Sequence, residues 1–212
     1  KSILGAFKFD KETFNYKQPA NLLCNYNLQK TGASLNSYVD GDGNTVVEYE
    51  MLCWNNGPFA PFPDRYIRVI TEPDGSEVTR YAVVTGATGS NVLSAMSEPI
   101  DVQVGDLVKV SFSWRTKDSH TFVNNAFAVR LTDGTTTKYI QLGGAWGNPI
   151  GINYAFDDSA VWSSIDIPLS YPVPFEGQVQ VFLTDATYTA GEENWYKNFS
   201  FELTFGVTEQ KN

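Results

Sequence analysis

Glu193-Asn194-Trp195-Tyr196-Lys197-Asn198-Phe199-Ser200-Phe201-Glu202-Leu203-Thr204-Phe205 alternates in residue type from end to end. Trp195, Phe199, Phe201, Leu203 and Phe205 share one parity with Lys197, and Tyr196, Asn198, Ser200, Glu202 and Thr204 take the other. Successive side chains of a strand point to opposite faces, so the stretch predicts a closing β-strand with one buried face. A helix would scatter the same aromatics around its circumference. So rich an apolar face needs a second sheet above it, and the upstream chain is expected to supply that sheet.

Working back from this strand, Val179, Val181 and Leu183 alternate with Gln178, Gln180 and Phe182. Pro168, Pro172 and Pro174 mark a crossover after a strand over Val161–Ile167, which a Gly-rich loop from Gly143 to Asp158 precedes. Phe127, Val129 and Leu131 alternate, and Asp133-Gly134 turns that strand into Thr136–Leu142. Val108, Val110, Phe112 and Trp114 alternate with Lys109, Ser111, Ser113 and Arg115. Asp74-Gly75 joins strands over Arg65–Thr71 and Glu77–Val84. Asp40 to Asn44 is a turn before a strand from Thr45 to about Trp54, and three prolines keep Asn55–Pro63 out of a sheet. Asn21–Leu28 is expected to be the first strand, after an extended arm over residues 1–20 that holds Phe7, Phe9, Phe14 and Tyr16. About ten short strands with turns between them and no helix predict one antiparallel β-sandwich over residues 21–206, with a tail over 207–212.

A chain of 212 residues, 42% hydrophobic and 18% charged, buries a real core and is not disordered. No apolar run is long enough to span a membrane, so no membrane insertion is expected. The chain opens on Lys1, which suits a fragment or a processed product. A net charge of −9 with dispersed Lys and Arg argues against nucleic acid as a partner. The two cysteines, Cys24 and Cys53, with one histidine, fit no zinc motif; they form a disulfide or two buried thiols.

The second half resembles a family. Val104–Thr116 (VGDLVKVSFSWRT), Ala126–Gly134 (AFAVRLTDG), Val161–Leu169 (VWSSIDIPL), Val179–Asp185 (VQVFLTD) and Trp195–Leu203 (WYKNFSFEL) follow in an order similar to the galactose-binding-like jelly roll of carbohydrate-binding modules. The opening Ala20–Leu28 (ANLLCNYNL) is similar to that family's first strand. The resemblance implies a jelly-roll sandwich that binds sugar without catalysis. It also implies a structural calcium ligated by an Asp of the last strand, but Lys197 occupies the matching position and an ammonium cannot ligate a cation. No cofactor is therefore expected, and Lys197 is expected to neutralise nearby carboxylates or carbonyls in the ion's place.

Sugar binding uses planar rings for stacking and polar groups for the hydroxyls. Trp146, Tyr154 and Phe156, with Asn148, Asn153 and Asp157, offer this in the Gly-rich loop; Trp54, Phe59, Phe62 and Tyr66 offer it around the proline loop. The competing reading is that these rings cap the core. Phe182, with Arg130 and Tyr139, lines a concave sheet face or packs under a loop. Trp114, Trp162 and Trp195 read as core. Asp40-Gly41-Asp42-Gly43-Asn44 has Met51 where a calcium loop needs its twelfth-position acid, so it reads as a solvated turn.

For catalysis, His120 lies in a loop, and Glu48 and Glu50 sit ~7 Å apart on one strand face, an arrangement that reads as a wet face. Asp157-Asp158 and Glu192-Glu193 read as loop charges. The expected function is a non-catalytic glycan-binding module of an extracellular, cell-surface or phage tail protein, with a glycan or surface polysaccharide as partner. The alternative is a structural subunit of a virion or surface appendage that meets its neighbours through the aromatic N-terminal arm. A glycosidase or lyase is the third class.

Overall fold

The structure, a computed structural model, describes residues 21–56, 65–85, 92–117, 127–141, 143–148, 161–167, 171–185 and 193–204. The N-terminal arm and the tail lie outside them. In chain order the strands are β1 Thr31–Val39, β2 Thr45–Met51, β3 Trp54–Asn56, β4 Arg65–Thr71, β5 Glu77–Thr85, β6 Val92–Ser97 and β7 Ile100–Val102. They continue with β8 Leu107–Thr116, β9 Phe127–Thr132, β10 Thr137–Ile140, β11 Trp146–Gly147, β12 Ser163–Ile167, β13 Gly177–Asp185 and β14 Glu193–Thr204.

The first sheet runs β1-β2-β4-β5-β14-β8-β12 and the second β11-β10-β9-β13-β6-β3, with β7 beside β13. Every pairing is antiparallel. From β8 onward the chain crosses between sheets repeatedly, so the fold is an antiparallel β-sandwich of jelly-roll type. The two inner faces meet in one core that includes Ile67, Ala82, Val110, Phe112, Trp114, Val129, Leu131, Val181, Tyr196 and Phe201. Full burial of each large side chain contributes roughly 1.5–3 kcal/mol relative to exposure.

The turns follow from local chemistry. Asp40 Oδ1 accepts the amides of Asp42 (3.0 Å) and Asn44 (2.9 Å), Asp74 Oδ1 that of Ser76 (2.8 Å), and Asp133 Oδ1 those of Thr135 (2.7 Å) and Thr136 (2.6 Å). The amides of Asn44, Ser76 and Thr136 hold the respective carboxyls below the usual range. Gly43, Gly75 and Gly134 take the left-handed conformation these turns need, with φ of 85°, 90° and 90°.

Three expectations are corrected. Asn21–Leu28 is not a strand: Asn25 and Leu28 are left-handed (φ 59° each), and the segment turns so that Leu23 and Leu28 enter the core. The Asn25 side chain fastens it, donating to the carbonyls of Lys30 (2.8 Å) and Leu52 (3.1 Å) and accepting the Lys30 amide (2.7 Å). The strand from Thr45 to about Trp54 is divided instead. Cys53 (φ 68°) redirects the chain from β2 in the first sheet to β3 in the second, and it forms a disulfide with Cys24 (Cα–Cα 5.7 Å).

The third correction concerns β14. Lys197 pairs with Ser113 and Ser200 with Ser111, so Asn198 and Phe199 oppose Phe112 alone. This is a β-bulge, and Asn198 holds it in the left-handed region (φ 56°), which Asn tolerates better than most residues. The bulge reverses the parity of everything before it. Tyr196, not Trp195, is fully buried in the core beside Phe112 (ring centroids 6.0 Å), while Trp195 and Lys197 emerge on the outer face.

Candidate functional site

The outer face of the first sheet is not the wet surface that Glu48 and Glu50 alone imply. Strand pairing aligns Glu50, Tyr66, Val83, Trp195 and Arg115 in one row across β2, β4, β5, β14 and β8. Glu48, Arg68 and Tyr81 form a parallel row beside it. Arg68 is only 7% exposed and lies between two carboxylates. Its Nη1 donates to Glu193 Oε2 (2.7 Å) and its Nη2 to Glu48 Oε1 (2.7 Å), Glu193 Oε1 (3.0 Å) and the Tyr66 hydroxyl (2.8 Å). Trp195 Nε1 donates to Glu193 Oε2 (2.7 Å), so Glu193 is a buried member of this network and not a loop charge.

The electrostatics follow from burial and pairing together. Burial opposes the Arg68 charge, but hydrogen bonds to Glu193 and Glu48 outweigh it and raise its pKa. Burial likewise pushes the Glu193 carboxyl up, and Arg68, with Trp195 and Lys117, more than reverses this and holds it below its ordinary value. Burial, reinforced by the Glu193 charge, raises the Tyr66 phenol.

The rings on this face are already stacked. Tyr81 lies on Trp195 (4.6 Å between centroids, 28° between planes) and the Arg115 guanidinium is 4.5 Å from the same indole. Because β14 runs between β5 and β8, these two flank Trp195 from opposite sides. Trp162 completes the group, edge-on to Tyr81 (5.9 Å) and 4.1 Å beneath Lys197 Nζ. Trp162 and Trp195 are thus half-buried outer-face residues, whereas Trp114 is core as expected.

At the β2–β4 end this face opens into a cleft of ≈ 740 Å³ lined by Leu35, Glu48, Glu50, Met51, Leu52, Cys53, Trp54, Asn55, Arg65 and Tyr66. That volume suits a small ligand or a short glycan segment. Tyr66 is half-buried with its hydroxyl fixed by Arg68 and Glu193. Arg65 Nε is fixed on the Trp54 carbonyl (3.0 Å). Glu50 Oε2 accepts the Ala33 amide (3.3 Å), and Gly32 leaves it room: a Cβ there would lie 2.5 Å from that oxygen. Trp54 contributes to the wall, and its buried Nε1 has no hydrogen-bond partner among the described residues. The cleft thus offers Arg and Asn donors with carboxylate acceptors, the set that binds vicinal hydroxyls.

Of the residues singled out from sequence, Trp54 and Tyr66 meet at this cleft. Trp54 is 2% exposed, with its ring 5.4 Å from that of Phe199, so it forms part of the wall and offers no open face for stacking. Trp146 is half-buried against the core at β11. Lys138 donates to Asn148. Tyr154, Phe156, Asn153, Asp157, Phe59, Phe62 and His120 lie outside the described residues. Arg130, Tyr139 and Phe182 do come together on the outer face of the second sheet, with Arg130 4.9 Å over the Phe182 ring. Of the two readings given to Phe182, its full burial among Ala128, Tyr139 and Met96 is the packed one.

Sequence reasoning missed Arg68, Tyr81, Arg115 and Glu193. The signal for Arg68 was present, because it stands inside the run Tyr66-Ile67-Arg68-Val69-Ile70, whose other members are apolar or aromatic. Where the resemblance implies a calcium-ligating Asp the chain has Lys197, whose ammonium offers no lone pair to a cation. Lys197 sits over Trp162 and forms no ion pair with a described carboxylate, so neutralisation of a carboxylate is not its role among the described residues. Among the described residues, Cys24, Cys53 and Glu98 bring potential ligand atoms within 4.8 Å of one another, and the disulfide takes both sulfurs.

No family model and no curated protein matches the chain. Among solved structures it is similar to the arabinose-bound α-L-arabinofuranosidase MgGH51 (TM-score 0.49, 18% identity), over 88% of this chain and 27% of that one. The chain therefore spans about a quarter of that enzyme's length. It is also similar to the CBM22-1 xylan-binding domain of Paenibacillus barcinonensis Xyn10C (TM-score 0.45, 14% identity; 82% and 96% covered). A cyclase from Fischerella sp. TAU aligns at TM-score 0.48 and 10% identity, with 90% and 100% covered. At these scores the likenesses say nothing of this chain's ligand.

Proposed function

We propose that the chain is a non-catalytic glycan-binding module, and that the glycan lies in the cleft bounded by Glu48, Glu50, Asn55, Arg65 and Tyr66. The observation that carries this is the joining of an open cleft to a rigid wall: Arg68 and Glu193 fix the Tyr66 hydroxyl, and Trp54 closes the side. A preorganised polar site loses little freedom when it captures hydroxyls. Glycosidase chemistry needs one carboxyl held protonated. Glu48 instead pairs with Arg68, and Arg68 holds the Glu193 carboxyl ionised, which supports binding over hydrolysis. The disulfide between Cys24 and Cys53 supports a site outside the cell or on its surface.

The test is calorimetric titration against a panel of plant, bacterial and animal polysaccharides. Tyr66→Ala and Arg65→Ala should each weaken binding by about tenfold or more, while Trp146→Ala leaves it unchanged. Binding that survives both cleft variants and vanishes with Trp146→Ala would move the site to the Gly-rich loop.

One observation favours assembly as a second reading. β1 is an edge strand of nine residues without a charge, exposing Leu35, Tyr38 and Val39. Natural edges usually carry charge or proline to prevent pairing. Sedimentation equilibrium would show self-association abolished by Leu35→Lys if this edge recruits a neighbour, and a monomer in both chains if it does not.

A further inference from the structure

Resting on the glycan-binding reading, we infer that the preferred glycan is acidic, bearing carboxylate or sulfate groups, and that one such group is held over Arg115, Lys117 and Lys197. These residues stand at the β14–β8 end of the same face, beside Trp162 and Trp195. The local charge is opposite to that of the whole chain. Among the residues named on this face, four cations (Arg68, Arg115, Lys117, Lys197) stand against three carboxylates (Glu48, Glu50, Glu193), in a protein of net charge −9.

Glu48 and Glu193 are both engaged by Arg68 at 2.7 Å, and Glu50 lies at the far, cleft end of the row. Lys117 reaches Glu193 only at 3.9 Å and stays 47% exposed. Arg115 donates Nε to the Thr116 carbonyl (3.1 Å), and neither it nor Lys197 forms an ion pair with a described carboxylate. Arg68 carries one charge against Glu48 and Glu193 and Lys117 offsets the second, which leaves Arg115 and Lys197 as cations of this face without an ion pair to a described carboxylate.

The rings beneath strengthen the case. Lys197 lies 4.1 Å from the Trp162 centroid and Arg115 4.5 Å from that of Trp195, so each cation is fixed on an indole. A cation held on a ring has part of its hydration removed before a ligand arrives, and an oxyanion then completes its shell. Arg115, Lys197 and Trp162 are half-buried and Lys117 is exposed, so the group is accessible from solvent. An anion attracted to this end lies on the same strand row as the cleft residues Tyr66 and Glu50. Four strand spacings of about 4.8 Å separate the two ends, a distance that an oligosaccharide spans and a monosaccharide does not.

The probes are polygalacturonate for carboxylate, dextran sulfate for sulfate, dextran and arabinoxylan as neutral chains, and poly-L-glutamate as an acidic chain without sugar. Titrations in low salt should give an acidic polysaccharide binding about tenfold tighter than the neutral chains. Raising the salt from ~50 mM to ~500 mM should remove that advantage, because exposed charges are screened. Lys117→Gln, at an exposed position that does not threaten folding, and Lys197→Gln should each erase most of the preference while leaving any neutral-chain affinity unchanged. Polygalacturonate and dextran sulfate responding differently identifies the acid group. Equal affinity for neutral and acidic chains would overturn this inference and leave the glycan-binding reading standing. Poly-L-glutamate binding as tightly as the acidic polysaccharides would overturn it too, as would a preference that survives both Lys variants. Failure of every polysaccharide to bind would defeat the underlying reading itself.

Discussion

Arg68→Leu is expected to cost about 3–5 kcal/mol of folding stability in urea denaturation, because it leaves the buried Glu193 and the half-buried Glu48 without the cation that holds both. The chemistry of the loss is specific. Combining Arg68→Leu with Glu48→Gln and Glu193→Gln should recover most of it, since the penalty lies in the unpaired carboxylates more than in any net gain from the ion pairs. A loss below ~1 kcal/mol in the single variant would place Arg68 among ordinary surface charges.

The same network sets an acid limit. The Glu193 carboxyl is held below its unfolded value, so its contribution is complete above the ordinary carboxylate pKa of about 4.3 and is lost as the pH falls through the depressed folded value. Stability followed from pH 7 to pH 2 should therefore drop in the acid range, and the drop should shrink in the triple variant.

Tyr196→Ala is expected to cost about 3–5 kcal/mol, by leaving a cavity against Phe112, whereas Trp195→Ala should cost only about 1–2 kcal/mol from lost stacking with Tyr81 and Arg115. Uninterrupted alternation predicts the reverse order, with Trp195 in the core. Thermal and urea unfolding of the two variants checks this directly. If Trp195→Ala proves the more damaging, the bulge at Asn198 is wrong.

This bulge shows where sequence reading stops. β8, β9 and β13 were legible because their apolar residues alternate, and β4 and β5 because the Asp74-Gly75 turn that joins them is fixed by local hydrogen bonds. In β14 one residue in a left-handed conformation shifts the pleat, and alternation alone has no term for that. Lys197 among aromatics, followed by Asn, was the visible hint. β1 escaped notice because an exposed edge strand needs no apolar face: Thr31–Val39 carries no buried residue.

The site was legible in part. Tyr66 and Trp54 flank a proline loop and were found for that reason, and the cleft does form between them. Arg68 and Glu193 are 125 positions apart, and their pairing depends on β14 inserting beside β5. Stacking was expected from the number of aromatics, but Tyr81 and Arg115 already flank Trp195, so its ring builds the wall instead of meeting a sugar. What remains for recognition is the polar rim.

The most direct test is an amide chemical-shift map of the isotopically labelled chain, titrated with the polysaccharide fragment that binds best. Perturbations are expected to concentrate on Glu48–Asn55 and Arg65–Tyr66 and to extend along the row to Trp195 and Arg115. A map centred on Ala128, Arg130 and Phe182, or on Trp146, with the cleft residues unmoved, would contradict this placement.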